Sequence, residues 1–198
     1  MFNSRSILLI GLILLVAWSA NWLIIREDAE EEAPAIGRND PDLYMLDATI
    51  TQFNDEGERQ HIILADRLTH YPLTDMTSMI EPRVKLFSEN VESPWDIESK
   101  NGRLLPESQL RSQIVELWDQ VLATRIEENG DFVNIQTESL WVYPGRDYAE
   151  TNRKVFIDDN SGRTSAAGMQ AYLDEGKYIF FSGPEDRVNT ILLPQFRK

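Results

Sequence analysis

The chain has 198 residues, with 33 acidic and 19 basic side chains and a formal net charge of -14. Proteins that follow the phosphates of nucleic acids need clustered Lys and Arg, so this charge argues against that class of partner. The sequence contains no cysteine, which excludes a disulfide framework and a thiolate metal site. Packing and backbone pairing must therefore hold the fold.

The first predicted element is a transmembrane helix over residues 7–25, preceded by a cytoplasmic N-terminus of residues 1–6. This run carries no charged side chain, and a helix of its length would span about 28 Å, close to the thickness of a bilayer's hydrocarbon core. A cleaved signal peptide is the alternative, but the run is longer than usual for one, and the best cleavage site puts the bulky Trp18 at position -3. Arg5 and the terminal amine favour an N-terminus in the cytoplasm and a C-terminal domain outside the membrane.

Residues 26–42 are predicted to be a flexible linker, because they combine an acidic run with two prolines and no apolar periodicity. An alternating pattern begins at Leu43 and stops at a turn over residues 54–57, where Gly57 can adopt a positive φ. A second strand is predicted from Glu58 to Ala65. Together they predict an N-terminal β-hairpin, which opens a domain over residues 43–198.

The rest of this domain is a series of short β-runs separated by turn residues such as Asn-Gly, Pro-Gly and Glu-Gly pairs. The predicted strands are Thr77–Phe87, Trp95–Ser99, Ile114–Ile126, Phe132–Tyr143, Lys154–Ile157, Thr164–Leu173, Lys177–Phe181 and Arg187–Leu192. Residues 109–124 also allow a helical interpretation, but their apolar positions favour a strand with an irregularity near Asp119. The predicted fold class is all-β, with layered antiparallel sheets.

One pattern recurs along these strands: an apolar residue, a small residue two positions later, and a large residue three positions further on. The segments ADRLTHYP and TESLWVYP carry it best, which favours a repeated strand-turn-strand unit. The irregular spacing leaves ordinary β alternation as the competing interpretation. The four occurrences are Ile63/Ala65/Leu68, Ile97/Ser99/Gly102, Ile135/Thr137/Leu140 and Thr164/Ala166/Met169.

No catalytic signature is present. The only histidines are His61 and His70, no Gly-x-Ser-x-Gly elbow occurs, and both histidines are expected to serve in packing at the surface or rim. No acidic spacing matches a calcium loop or a His/carboxylate metal site. We therefore expect no enzyme activity, no cofactor and no metal, and a tethered hydrolase dependent on His61 or His70 is the weakest alternative.

Five segments in a fixed order give the chain a family resemblance: PDLYMLDATITQFNDEG, ADRLTHYP, MIEPRVKLF, TESLWVYP and GRTSAAGMQAYL, all following an N-terminal span. This series closely resembles the LptC family, the bitopic component of the lipopolysaccharide export machine of Gram-negative bacteria. The resemblance covers nearly the whole chain, and it depends on the ordered series rather than on a catalytic motif.

The resemblance implies a twisted antiparallel β-jellyroll of the OstA-like type, in the periplasm, anchored in the inner membrane by a single span. Its implied partners are the LptB, LptF and LptG transporter, whose ATPase activity the span tempers, and the bridge protein LptA. Lipopolysaccharide would pass from LptF through an apolar groove to LptA, while no nucleic acid would be bound. The alternative is an envelope scaffold that binds proteins by strand addition and carries no lipid.

The resemblance also implies roles for individual residues. The acyl chains would contact inward aliphatic side chains, although each of these could equally be plain core: Ala48, Ile50, Ile63, Met79, Ile80, Val84, Val121, Ile135 and Leu140. Gly57 and Gly168 fall where the family has glycines, and a β-carbon there would disturb a turn or the assembly. The edge strands that meet partners would include Tyr44 and Phe53 on the LptF side, and Tyr178, Phe180 and Val188 on the LptA side.

Overall fold

A computed structural model describes residues 39–88, 91–184 and 186–194. The chain divides into two units, residues 1–38 and 39–198, and all of the described residues belong to the second. The predicted N-terminus (1–6) and transmembrane helix (7–25), with most of the linker (26–42), lie outside the described residues. Within the described ranges, no helix is both long and apolar enough to cross a bilayer.

The described chain forms fourteen strands and a short 3-10 turn (Pro144–Arg146), so the prediction of an all-β domain is confirmed. The strands are β1 (Leu43–Phe53), β2 (Arg59–Tyr71), β3 (Met76–Ile80), β4 (Arg83–Ser88), β5 (Val91–Glu98), β6 (Asn101–Leu105), β7 (Ile114–Ile126), β8 (Phe132–Tyr143), β9 (Tyr148–Thr151), β10 (Val155–Asp159), β11 (Gly162–Ala166), β12 (Gly168–Tyr172), β13 (Lys177–Phe181) and β14 (Asn189–Leu192).

All pairings are antiparallel, and they join the strands into one sheet that folds over itself into two layers. The first layer has the order β1-β2-β4-β5-β7-β8-β10-β11-β14. The second layer has the order β1-β2-β3-β6-β7-β8-β9-β12-β13. The long strands β1, β2, β7 and β8 run through both layers, so they form the bend that joins them.

Local backbone irregularities lie at this bend. In β7, Asp119 and Gln120 adopt left-handed φ angles of 64° and 61°, and the register with β8 shifts between Trp118 and Val121. The predicted irregularity near Asp119 is therefore confirmed. Glu81, at φ 50° between β3 and β4, lies at the same bend. The predicted single strand Thr77–Phe87 is wrong, because Glu81 and the following Pro82, which has no N–H to donate, interrupt the pairing.

The recurring sequence pattern coincides with the bend. Ile63, Ala65 and Leu68 are buried, whereas Asp66 and Arg67 between them are exposed. Because two consecutive residues face outward, the inward face changes from odd to even positions as the strand passes from one layer to the other. Ile135, Thr137 and Leu140 of β8 show the same change. The pattern thus marks the positions where a strand bends between layers.

Other differences from the predicted strands have local causes. Thr164–Leu173 is two strands, β11 and β12, because the chain changes layers at Ala167. Asn101-Gly102 opens β6 instead of forming a turn, and β9 has too few residues for its alternation to be recognised. The strand after the first turn extends beyond Ala65 to Tyr71, where Pro72 ends it. The boundaries of β7, β8 and β13 are as predicted.

Among the described strands, three pair on one side only. β1 pairs only with β2, at one end of both layers. At the other end, β14 closes the first layer and β13 closes the second. The free backbone edges are thus at the N-terminal and C-terminal ends of the domain, with the apolar core between the layers.

Candidate functional site

The space between the layers is lined by apolar side chains from both layers. Six of the nine residues predicted to contact acyl chains are buried in it, at no more than 2% exposure: Ile63, Met79, Val84, Val121, Ile135 and Leu140. Ala48 and Ile50, on the edge strand β1, are half-buried and pack against this core. The structure thus brings eight of the nine predicted residues to one interior.

The expectation that Ile80 faces this interior is wrong, because its side chain lies on the outer surface and is 43% exposed. Successive residues of a strand point to opposite faces, so Met79 and Ile80 cannot both face inward. Met79 is 2% exposed and takes the inward position. The sequence does alternate correctly here, but which of the two residues faces inward can be decided only once the bend at Glu81 is known.

The apolar interior continues to both free edges of the sheet. On β1, Met45, Ala48 and Ile50 face inward and are half-buried. On β13, Tyr178 and Phe180 pack against the same core and are also half-buried. The inward side chains therefore form one apolar surface that is accessible at each end of the domain.

The other predicted edge residues lie as follows. Tyr44 and Phe53 are on β1, at 63% and 53% exposure, and Tyr44 points away from the interior. Val188 is 40% exposed and lies just before β14, where its N–H donates to the Ser182 hydroxyl at 3.3 Å. All of these residues lie on or beside strands with a free edge.

The two predicted glycines have different surroundings. Gly57 adopts φ 82° in the turn between β1 and β2, with open space around an added β-carbon. At Gly168, a β-carbon would lie 2.9 Å from the carbonyl oxygen of Thr151, in the neighbouring strand. Of these two glycines, only Gly168 has a neighbouring backbone close enough to exclude a side chain.

The centre of the interior is filled by side chains. A β-carbon on Gly102 would come within 2.9 Å of both Leu117 Cδ2 and Met79 Cε. A cavity of about 550 Å³ does exist, but it lies on the outer face of the first layer, where Ile62, Leu64 and Leu122 contribute to its lining. A long apolar ligand can therefore enter the interior only if the two layers move apart.

The ends of β4 and β7 in the first layer meet the chain after β8 and after β12 in the second layer, away from the bend. We call this place the mouth, and define it by the four residues that form these contacts, Ser88, Arg125, Asp147 and Leu173. Ser88, at the end of β4, donates a hydrogen bond to Asp147 Oδ1, in the turn between β8 and β9. Arg125 Nη1 of β7 donates to the carbonyl oxygen of Leu173 at 3.2 Å. These polar contacts between distant parts of the chain close the mouth.

Polar side chains lie just inside the mouth. Arg125 is 9% exposed; its Nη2 lies 3.2 Å from Glu127 Oε1, and its guanidinium lies 5.0 Å from the ring of Trp95. Trp95 Nε1, Arg125 Nε and the Tyr178 hydroxyl are buried and have no hydrogen-bond partner among the described residues. Burial raises the pKa of the Tyr178 hydroxyl, while the positive charge of Arg125 lowers it. Sequence patterns missed this group because its members come from three separate strands.

The two histidines have contrasting environments. His61 is 1% exposed and neither ring nitrogen has a partner within the described ranges, so the expectation of a surface or rim position is wrong for it. Burial lowers the pKa of His61 to about 4, which keeps the ring neutral near pH 7. His70 lies at the surface with Nδ1 2.7 Å from Asp42 Oδ1, and this hydrogen bond raises its pKa. The described residues contain no group of three or more His, Asp or Glu side chains that could hold a metal ion.

Comparisons with known proteins agree with this architecture. The family described as "Lipopolysaccharide-assembly, LptC-related" matches residues 9–182. The lipopolysaccharide export system protein LptC of Haemophilus influenzae is 24% identical over 157 residues, which cover 71% of this chain and 73% of that protein.

A solved structure shares the fold: LptH of Pseudomonas aeruginosa, described as the LptA-homologous periplasmic component of the lipopolysaccharide transport device. Its TM-score is 0.56 at 7% identity, and the match covers 68% of this chain and 95% of LptH. The family match spans most of the sequence, including the bend, the mouth and nearly all of the interior. The chain therefore belongs to the LptC-related family, whose members take part in lipopolysaccharide assembly.

Proposed function

We propose that this protein is a non-enzymatic relay that holds the acyl chains of lipopolysaccharide between its two layers and passes the lipid along them. In this proposal the lipid arrives from the inner-membrane LptB, LptF and LptG transporter at the β1 end. It leaves toward periplasmic LptA at the end formed by β13 and β14. Residues 7–25 would anchor the chain in the inner membrane, with the β domain in the periplasm.

The observation that carries this proposal is the continuous apolar interior between two free sheet edges. Half-buried apolar side chains face inward at each end, Ala48 and Ile50 on β1 and Phe180 on β13. Burial of an acyl chain is favourable by about 0.8 kcal/mol per methylene group. A chain of a dozen or more carbons would thus offset the cost of separating side chains that now contact each other.

The free edges support the assembly part of the proposal. β1 offers eleven residues with pairing on one side only, which is a long template for a strand from LptF. At the other end, β13 and β14 offer five and four residues to LptA. Strand addition at both ends would extend the two layers into neighbouring domains and join their apolar interiors.

Photocrosslinking at adjacent residues on opposite faces tests this relay. A benzophenone amino acid at Phe180 faces the interior, whereas the same residue at Phe181, which is 43% exposed, faces outward. The replaced side chains are both phenylalanine, so the pair differs mainly in direction. We expect lipopolysaccharide adducts at position 180 only, and only while the transporter hydrolyses ATP.

Ile50 and Thr51 form a second pair at the β1 end, half-buried and exposed respectively. Adducts at the outward positions 51 and 181 alone would contradict the relay. Depletion of the protein provides an independent check, since lipopolysaccharide should then accumulate in the inner membrane.

The filled centre of the interior favours a second candidate, a scaffold that joins envelope proteins through its edges and carries no lipid. Under that hypothesis the layers never separate. A protein whose mouth is held closed would then support export as well as the wild type does, which distinguishes the two candidates.

A further inference from the structure

Three hydrogen-bond donors just inside the mouth have no partner in the described part of the chain. Trp95 Nε1 is buried on a residue that is 1% exposed, Arg125 Nε belongs to a side chain that is 9% exposed, and the Tyr178 hydroxyl is buried opposite them. A buried donor without a partner loses the hydrogen bonds that it makes with water in the unfolded chain, which destabilises the fold. Three such groups in one place are unexpected, because buried polar groups in folded proteins nearly always have hydrogen-bond partners.

The arrangement brings these donors together at one position. Trp95 and Arg125 are inward residues of β5 and β7, and the guanidinium lies 5.0 Å from the indole ring. Tyr178 comes from β13, just after the turn residue Gly176, where an added β-carbon would lie 3.9 Å from Arg125 Nη2. Burial raises the pKa of the Tyr178 hydroxyl, and the nearby charge of Arg125 opposes this shift. Donors from three strands therefore face the same part of the interior.

The set of donors at this position, rather than its net charge, suits an anion with several acceptor oxygens. Arg125 pairs with Glu127, whose side chain is 43% exposed and can turn toward solvent. The carboxylates of Asp159 and Glu127 also raise the pKa of the Tyr178 hydroxyl, and their negative charges oppose the binding of an anion. A guanidinium with an indole and a phenol donor matches a phosphate better than a carboxylate, because phosphate offers more acceptor oxygens.

Arg125 also holds the mouth closed through the Leu173 carbonyl oxygen. An anion that takes over the Nη1 donor would release this contact between the two layers. Ligand binding and opening of the mouth would then be the same event, since one side chain serves both.

We propose that Trp95, Arg125 and Tyr178 form a phosphate-binding subsite at the inner side of the mouth, which holds a phosphate group of the acylated lipid whose chains lie between the layers. This inference rests on the proposed relay function. The subsite places the phosphorylated end of the lipid at the mouth and directs the acyl chains into the interior.

The test uses the full-length protein in nanodiscs and three probes: diphosphorylated lipid A, the same lipid after removal of its phosphates, and inorganic phosphate. Tyr178→Phe removes only the hydroxyl. We expect about a tenfold loss of affinity for phosphorylated lipid A, no loss for the dephosphorylated lipid, and an unchanged or higher Tm without lipid. Arg125→Lys, which keeps the charge but loses the planar donor fork, should show the same selectivity.

Tyr172→Phe is the matched control, because Tyr172 neighbours the inward residues Ala171 and Leu173 and so points to the outer face. It should leave all affinities unchanged. Equal losses of affinity for both lipids, or no loss of affinity with Tyr178→Phe, would overturn the subsite. Ordered water would then be the partner of these donors. Stabilisation by inorganic phosphate, without any preference for phosphorylated lipid, would assign the site to free phosphate instead.

The two proposals can fail separately. If the wild type binds neither lipid, the relay itself is wrong. If it binds both lipids with equal affinity, the relay stands and the subsite for the phosphate group of the lipid is wrong.

Discussion

At the residue scale, two basic side chains are buried at inward positions of their strands. His61 lies two positions before the inward Ile63 and shares its face, so its ring is buried, where no described residue bonds to its nitrogens. Arg125, in an aliphatic strand, is also inward. Alternation indicates which positions share a face; it cannot indicate that a histidine or an arginine will be buried, since this depends on what the opposite layer contributes.

His61 should make the stability of the domain dependent on pH. Its pKa is about 4 in the folded state and near 6.5 when unfolded, so the unfolded chain binds the proton more readily. Stability should therefore fall as the pH drops from about 6.5 to about 4, by up to roughly 3 kcal/mol. His61→Leu should remove most of this loss. Thermal unfolding of the wild type and of His61→Leu at about pH 7.5 and pH 5 measures this loss of stability. An equal loss in the two proteins would contradict its assignment to His61.

At the element scale, strand pairing depends on close backbone approach at a few positions. Gly168 begins β12, and an added β-carbon would meet the Thr151 carbonyl oxygen of β9 at 2.9 Å. Sequence patterns predict strand boundaries well where strands are long and regular, as in β7 and β8. They fail where a strand is short, as in β9, or where the chain changes layers, as at Ala167, because pairing partners far along the chain decide those boundaries.

Gly168→Ala should weaken the pairing of β12 with β9 and destabilise the domain by about 1–3 kcal/mol, because a backbone atom blocks the new methyl group. Gly145→Ala is the control, since its β-carbon would meet only Gln60 Nε2, at 3.8 Å. Thermal unfolding compares the two variants. Equal Tm values for the two variants would show that the backbone at β12 accommodates the new methyl group without loss of stability.

At the scale of the whole domain, two layers joined at a bend meet again at the mouth. Side-chain hydrogen bonds cross it, among them those from Ser88 to Asp147 and from Arg125 to the Leu173 carbonyl oxygen. Polar contacts of this kind contribute about 1 kcal/mol each. Because the bend joins the layers at the opposite side, separation of the layers at the mouth leaves the strand pairing intact.

A covalent link across the mouth should therefore abolish transport without unfolding the domain. The chain has no cysteine, so Ser88→Cys with Asp147→Cys offers one reactive pair for a short, reducible bis-maleimide. We expect the crosslinked protein to assemble with its partners but to block lipopolysaccharide release from the transporter, with recovery when the linker is cleaved. Each single cysteine variant treated with the same reagent is the control. Full transport by the crosslinked protein would favour the scaffold.

Local sequence patterns were sufficient to predict the all-β fold class and the regular strands, because alternation and turn chemistry involve residues close together in the chain. The family was predicted from the resemblance of the ordered segments, not from these patterns. The small-residue pattern even coincides with the bends, where each strand changes its inward face. Alternation is sufficient to place Ile80 outward once the bend at Glu81 is known. The depth at which His61 is buried and the contact of Arg125 with Leu173 emerged only from the packing of the two layers. These features depend on residues far apart in the chain, such as Arg125 and Leu173, which are separated by 48 positions. No local pattern can therefore predict them.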